Sequence, residues 1–150
     1  MEREGRNIYK SCRVTAGLTQ ERWAEVLDIS VDAVRKYEAG VVLPSDEVVL
    51  RMSEVAGQTI SCYWHLLNKS RCAGAILPDV RLRTLPEAVL NLIVRINDFS
   101  RGGLESLTRL AADGIISADE VLEFGEALAE LRELVAAAYE LEYAQKEGEP

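Results

Sequence analysis

Between Ser30 and Lys36 the chain carries side chains able to recognise a polar surface: the methyls of Val31, the carboxylate of Asp32 and the cationic donors of Arg35 and Lys36. Counted as a helix from a Ser30 cap, these four point away from Val34 and Tyr37, which turn inward at helical spacing. Valine methyls fit a thymine methyl, a carboxylate accepts from cytosine N4, and Lys or Arg donates to guanine O6 and N7. The set therefore suits the base edges of a DNA major groove, although Arg35 and Lys36 serve equally for phosphates or solvent, and a carboxylate such as Asp32 is favourable near a helix start without DNA. Nothing comparable points to bond-breaking chemistry. No Gly-rich phosphate loop, nucleophile motif or carboxylate pair stands out. His65, the only histidine, belongs to no cluster with ligand spacing and reads as packing on a helix flank. The sequence is read as non-enzymatic, with no catalytic residue, no metal and no cofactor.

A helix can present these residues only if others hold it. Leu18 closes an apolar run, Thr19 caps the next helix, and Gln20 and Glu21 sit at that helix's positive end. Trp23, Ala24 and Leu27 share one face, with Ala24 small where two helices cross closely. Asp28-Ile29 makes the turn. An earlier helix is expected near Arg6–Ala16, with Ile8, Cys12 and Val14 or Thr15 inward and Gly17 ending it. Ser45 caps a fourth helix with Val48, Val49, Met52, Val55 and Ala56 buried, ended by Gly57. Ser61 is expected to cap a fifth, Cys62–Leu67, with Trp64, Leu66 and Leu67 closing the core. Residues 1–5 read as a loose arm.

In residue type and order this stretch resembles the lambda-repressor/Cro-type helix-turn-helix family, also called the Xre family. The resemblance rests on Leu18-Thr19-Gln20-Glu21, Ala24, Leu27, Ile29-Ser30, Val34, Tyr37-Glu38, Gly40 and Pro44-Ser45, with the helix running to Gly57. It covers roughly residues 6–67. It implies that Val31, Asp32 and Lys36 stand where the family reads bases and that Gln20 contacts a DNA phosphate; Ser30 either caps only or caps and touches the DNA backbone. It also implies a partly buried structural salt bridge between Arg13 and Glu38. The chain departs from the family by placing Asp28 where the turn usually has Gly. Ala39, Val41 and Val42 stand where phosphate-binding Asn, Lys or Arg is common.

Composition sets further bounds. The 150 residues are 48% apolar with formal net charge −8. Residues 1–57 hold eight Lys/Arg and ten Asp/Glu, against nine and fifteen in the rest, so most of the acidity lies outside the candidate DNA-binding region. That region still lacks a basic surplus, so a monomer should bind weakly and with strong salt dependence. No run of about 18 apolar residues is present, so no membrane span is expected. The polar N-terminus is unlike a signal peptide. Cys12, Cys62 and Cys72 lack zinc spacing and read as free thiols of a cytoplasmic protein.

Residues 68–83 mix Gly, Pro and basic residues and read as a linker, with Ile76-Leu77-Pro78 apolar enough to dock. Thr84 and Glu87 have capping-box spacing before a helix to Phe99 with Val89, Leu92, Ile93 and Ile96 inward. Gly102-Gly103 is expected to break the chain before a helix carrying Leu104, Leu107, Leu110 and Ala111. Ser117 and Glu120 begin a last long helix, whose Val121, Phe124, Leu128, Leu131, Val135 and Ala138 form a seam widened by Leu122, Leu134 and Leu141. Its acidic residues, from Asp119 to Glu133, read as a solvated face. Three short helices expose too much apolar surface to stand alone; either they pack as a bundle on residues 1–67 or, as two-fold reading of half-sites favours, a second copy covers them.

The reading is an all-α protein: a five-helix lambda-repressor-like DNA-binding domain (1–67), a linker (68–83) and a C-terminal helical oligomerisation region (84–150). Double-stranded DNA is the expected partner, bound as a homodimer formed through residues 84–145, with repression as the expected outcome. In a rival reading that keeps DNA binding, the C-terminal helices instead receive a protein antagonist or regulator. The alternative is a helix-turn-helix-fold protein-interaction module or antitoxin-like protein. A small-molecule sensor needs a cavity, and the sequence shows no polar cluster converging on one.

Overall fold

The computed structural model describes residues 7–144, so the arm expected at 1–5 lies outside the described residues. Those residues are helical, with no strand among them beyond one isolated bridge position. The chain divides into two compact units, 1–77 and 78–150. No helix among the described residues is long and apolar enough to cross a membrane.

The first unit contains α1 (Ile8–Thr15), α2 (Gln20–Leu27), α3 (Val31–Glu38), α4 (Asp46–Ala56), α5 (Ile60–Lys69) and α6 (Arg71–Ile76). Each of the first four begins at a side-chain cap. Asn7 accepts from the backbone N–H groups of Tyr9 and Lys10, Thr19 from Arg22, Ser30 from Ala33 and Ser45 from Val48. These bonds satisfy donors that a helix leaves open at its start. Trp23, Leu27, Val34, Val49, Met52 and Cys12 form the centre of the core, and Ala24 is buried beside them. Burial raises the Cys12 thiol pKa, against a smaller opposing effect of a hydrogen bond with Ser61.

Several expectations change in detail. Val14 and Thr15 face solvent, and Tyr9 is buried instead. Ile8, Tyr9 and Cys12 set the inward face, and Val14, two residues past Cys12, lies about 200° around the helix from it and points the other way. Val55 is exposed and Ser53 takes its place, its hydroxyl donating to the Leu50 carbonyl at 2.9 Å. Ser61 does not cap α5. It lies inside the helix, buried, and donates to the Gln58 carbonyl at 2.6 Å. Leu66 is exposed, while Ile60, Tyr63 and His65 close the core. Residues 71–76, expected within a linker, are helical because the Ser70 hydroxyl caps them, accepting from the Ala73 N–H. Ile76 is exposed; Val80, in the second unit, is buried.

The second unit contains α7 (Leu85–Asp98), a π-helical turn (Phe99–Gly103), α8 (Leu104–Leu110) and α9 (Val121–Glu142). The Glu87 carboxylate accepts from the Thr84 N–H and hydroxyl, and Glu120 accepts likewise from Ser117. Gly102-Gly103 does not break the chain. The helix runs through it by widening one turn, and α7, the π turn and α8 all pack on α9. The reason lies at Gly103. A Cβ there would stand 2.6 Å from both Glu130 Oε2 and the Phe99 ring, so the glycine allows close approach to α9.

The interior of this unit is built of small residues, Ala88, Ala127, Ala136 and Ala137, with Leu110 and Val80. Val89, Ile93 and Ile96 of α7, expected inward, are exposed, as are Val121, Leu122 and Val135 of α9. Alanines let α7 and α9 approach closely, which leaves several larger side chains outside while Leu92, Phe124, Leu128 and Leu131 are half-buried.

Candidate nucleic-acid interface

The α2–α3 pair is fixed by its turn. Asp28 takes the left-handed conformation, φ 54° and ψ 49°, as the substitute for glycine. The Ile29 N–H donates back to the Ala24 carbonyl at 3.0 Å and closes the end of α2. Val34, Trp23, Ala24 and Leu27 are buried between the helices, so α3 can turn only one face outward. Asp32, Arg35 and Lys36 are on that face and exposed; Val31 is half-buried, packed against the core at the edge of the face.

These charged residues are paired among themselves. Lys36 Nζ lies 2.7 Å from Asp32 Oδ2, one turn earlier. That hydrogen bond, with the Asp32 charge, raises the Lys36 pKa, so the ammonium is charged at neutral pH. Arg35 reaches α2, with Nη2 3.9 Å from Glu21 and Nε donating at 3.5 Å to the Gln20 carboxamide oxygen. Glu21's carboxyl is held low by its own backbone N–H and the Thr19 hydroxyl, and by the Arg35 charge. Every cation of the face thus has an anion within reach, as the lack of a basic surplus predicts.

Gln20 is placed at the first turn of α2, where backbone N–H groups are open to an anion. Its side-chain N–H is engaged elsewhere, donating to Glu38 Oε2 at 2.8 Å. Ser30 is exposed, with its hydroxyl accepting from the Ala33 N–H at 3.1 Å.

Arg13 and Glu38 meet beneath this surface. Arg13 Nε donates to Glu38 Oε1 at 2.5 Å, Nη2 donates to Oε2 at 3.1 Å, and Nη1 donates to the Leu18 carbonyl at 2.8 Å. The side chains are 14% and 7% exposed. Burial pushes the Glu38 carboxyl up, but the hydrogen bonds from Arg13 and Gln20, with the Arg13 charge, outweigh it and leave its pKa lowered. One carboxylate therefore ties α1, α2 and α3 together beneath the outward face of α3.

Two supports were not legible from the pattern of apolar residues. Asn7 both caps α1 and donates to the carbonyls of Tyr37 and Glu38 at 2.8 and 2.5 Å, fixing the last turn of α3. Its preference for cap positions was the available signal. His65 is buried with both ring nitrogens bonded, 2.9 Å from the Tyr9 hydroxyl and 3.0 Å from Asp46 Oδ1. A carboxylate only accepts, so Nε2–H donates to Asp46, and in the neutral ring the Tyr9 hydroxyl donates to Nδ1. Lys69 donates to the same Asp46 oxygen at 2.6 Å. The histidine thus joins α1, α4 and α5.

Two helices joined by a tight left-handed turn, the second with one polar face held outward, define a helix-turn-helix protein. Residues 10–61 match the helix-turn-helix family model, of Cro/C1 type. No curated protein and no solved structure matched the chain. The chain is in general terms a DNA-binding transcription regulator, and the family's domain is a regulatory rather than an enzymatic one.

Proposed function

We propose that the protein is a cytoplasmic repressor that binds a pseudo-palindromic operator as a homodimer. In this reading α3 enters the major groove, with Val31, Asp32, Arg35 and Lys36 against base edges. Ser30 and the first turn of α2 at Gln20 receive phosphates. The observation that carries the reading is the outward projection of Asp32, Arg35 and Lys36 from a helix whose opposite face is pinned by Val34 and Glu38. Binding replaces the Asp32–Lys36 and Arg35–Gln20 contacts with contacts to DNA. Gln20's side chain reaches a phosphate only by leaving Glu38, so its backbone N–H is the stronger candidate.

Dimerisation is supported by the second unit, where Leu90, Ile93 and Val94 form an exposed apolar stripe on α7 and Val121, Leu122 and Val135 are exposed on α9. A second reading, a protein-interaction module, draws support from exposed Val41, Val42 and Leu43 directly after α3, where a DNA-binding surface gains from cations. Selection from random duplexes at low salt separates the two. Enrichment of a site with two-fold symmetry is the expected result, with Lys36→Ala changing which bases are selected. No enrichment overturns DNA recognition in favour of the protein-interaction module.

A further inference from the structure

The second unit contains a cavity of about 270 Å³ where residues 79–83, α7 and α9 converge. Its charged lining is Asp79, Arg81, Arg83, Arg95, Glu133 and Glu140. Glu140 is 4% exposed and holds the cavity together. It accepts from the Arg81 backbone N–H at 3.1 Å, from Arg83 Nε at 2.5 Å and from Asn91 Nδ2 at 2.8 Å. Its pairing with Arg83 is internal and complete enough to frame a site rather than bind in it.

The remaining groups are less satisfied. Arg95 approaches Glu133 only at 3.4 Å through Nη2, and its Nε is buried without a hydrogen-bond partner among the described residues. Arg81 and Asp79 take part in none of the ion pairs among the described residues. A buried donor left open costs stability unless something fills it. Arg95 Nε is that buried donor, while Asp79, Arg81 and Glu133 are exposed at the cavity's edge, so guanidinium donors and carboxylate acceptors stand side by side where a ligand can reach them.

That balance selects the ligand class. An anion alone would meet three carboxylates, and a cation alone would meet three guanidinium groups. A molecule carrying both charges a few bonds apart satisfies both sets. The volume lies below the roughly 300–1,000 Å³ of pockets for drug-sized ligands, which fits a small metabolite. We propose that this cavity binds a free α-amino acid, its carboxylate on Arg95 and Arg81 and its ammonium on Glu133 and Asp79. The site lies wholly in the second unit and does not depend on the DNA-binding reading.

The test is titration of the full chain with each of the twenty L-amino acids, followed by calorimetry and by amide chemical shifts. At least one should bind and shift the resonances of Asn91 and Ala136. The same compound lacking its amino group, or lacking its carboxylate, should not. Arg95→Met should weaken binding roughly tenfold or more, as for a lost charge-assisted hydrogen bond. Arg81→Met, which keeps the backbone N–H that Glu140 requires, should do the same and serves if Arg95→Met does not fold. Absence of binding by all twenty overturns the proposal. So does equal binding of the deaminated acid, or binding unchanged in both variants.

Discussion

Glu38 shows how a single side chain can belong to the interior and to the site at once. It accepts from Arg13 and Gln20 and so fixes the base of α3. Its lowered pKa gives a definite pH dependence. A carboxyl whose native pKa lies below its unfolded value, about 4.3, contributes stability that is fully present above that value. The contribution is lost as pH falls through the native pKa. Glu38→Gln should remove that part of the acid limb and leave Arg13 uncompensated, costing about 3 kcal/mol at neutral pH, the lower end for a buried pair because Arg13 retains some solvent. Urea unfolding of both proteins from pH 7 to pH 3 checks this; parallel acid limbs would refute it. Asp32 makes a different prediction. It pairs with Lys36 on the outward face of α3, so with α3 docked on DNA as proposed, Asp32→Ala should tighten binding to all duplexes and relax preference at one base position. It should also steepen the salt dependence, by up to about 0.9 in log–log slope if the released ammonium takes one phosphate. Binding measured over a salt series decides it, and weaker binding to every duplex would sink the idea. The outward set was readable because Ser30 fixes where the helix begins, and the counting follows. The pairing within the set was not, because i,i+4 contacts compete with solvent and with DNA at nearly equal energy.

The helices themselves were legible where caps and period agreed. Thr19, Ser30 and Ser45 marked three starts, and Trp23, Ala24, Leu27 and Val34 marked one seam. Legibility failed where a local signal had two meanings. Ser61 carries a capping residue type but lies inside a helix, because its hydroxyl finds a carbonyl one turn back instead. Gly102-Gly103 has the composition of a break, yet glycine also permits close packing, and here the second role holds at Gly103. The two glycines should therefore respond to alanine with opposite signs. Gly102 has open space around it, so Gly102→Ala should stabilise by about 0.5–1 kcal/mol, the ordinary helical preference. Gly103→Ala would press on Phe99 and Glu130. Glu130 can swing away, but the Phe99 ring is held in the same turn, so a loss of about 1–3 kcal/mol is expected. Thermal unfolding of the two variants side by side checks this, and equal shifts would argue against the close approach to α9.

For the chain as a whole, most of the net charge and the exposed apolar stripes of α7 and α9 both fall in the second unit. The 3-4 spacing in the sequence revealed the stripes but not which of them faced inward. Periodicity reports that a face is apolar, whereas the alanines decide which face another helix can approach. A face of isoleucine, leucine and valine left in water is unfavourable by about 25 cal/mol per Å² of apolar area, so covering it favours association. A double substitution, Leu90→Asp with Ile93→Asp, places two charges on the α7 stripe without touching the buried Ala88 or α9's alanines. Sedimentation should move from dimer to monomer while helicity is kept. Affinity for a symmetric operator should fall by roughly 10²–10⁴, the gain expected when a second half-site is held by linkage. Affinity for a single half-site should be unchanged. If the variant still sediments as a dimer, or if the unsubstituted chain sediments as a monomer with full operator affinity, the α7 face has another role and two-fold recognition must be built elsewhere.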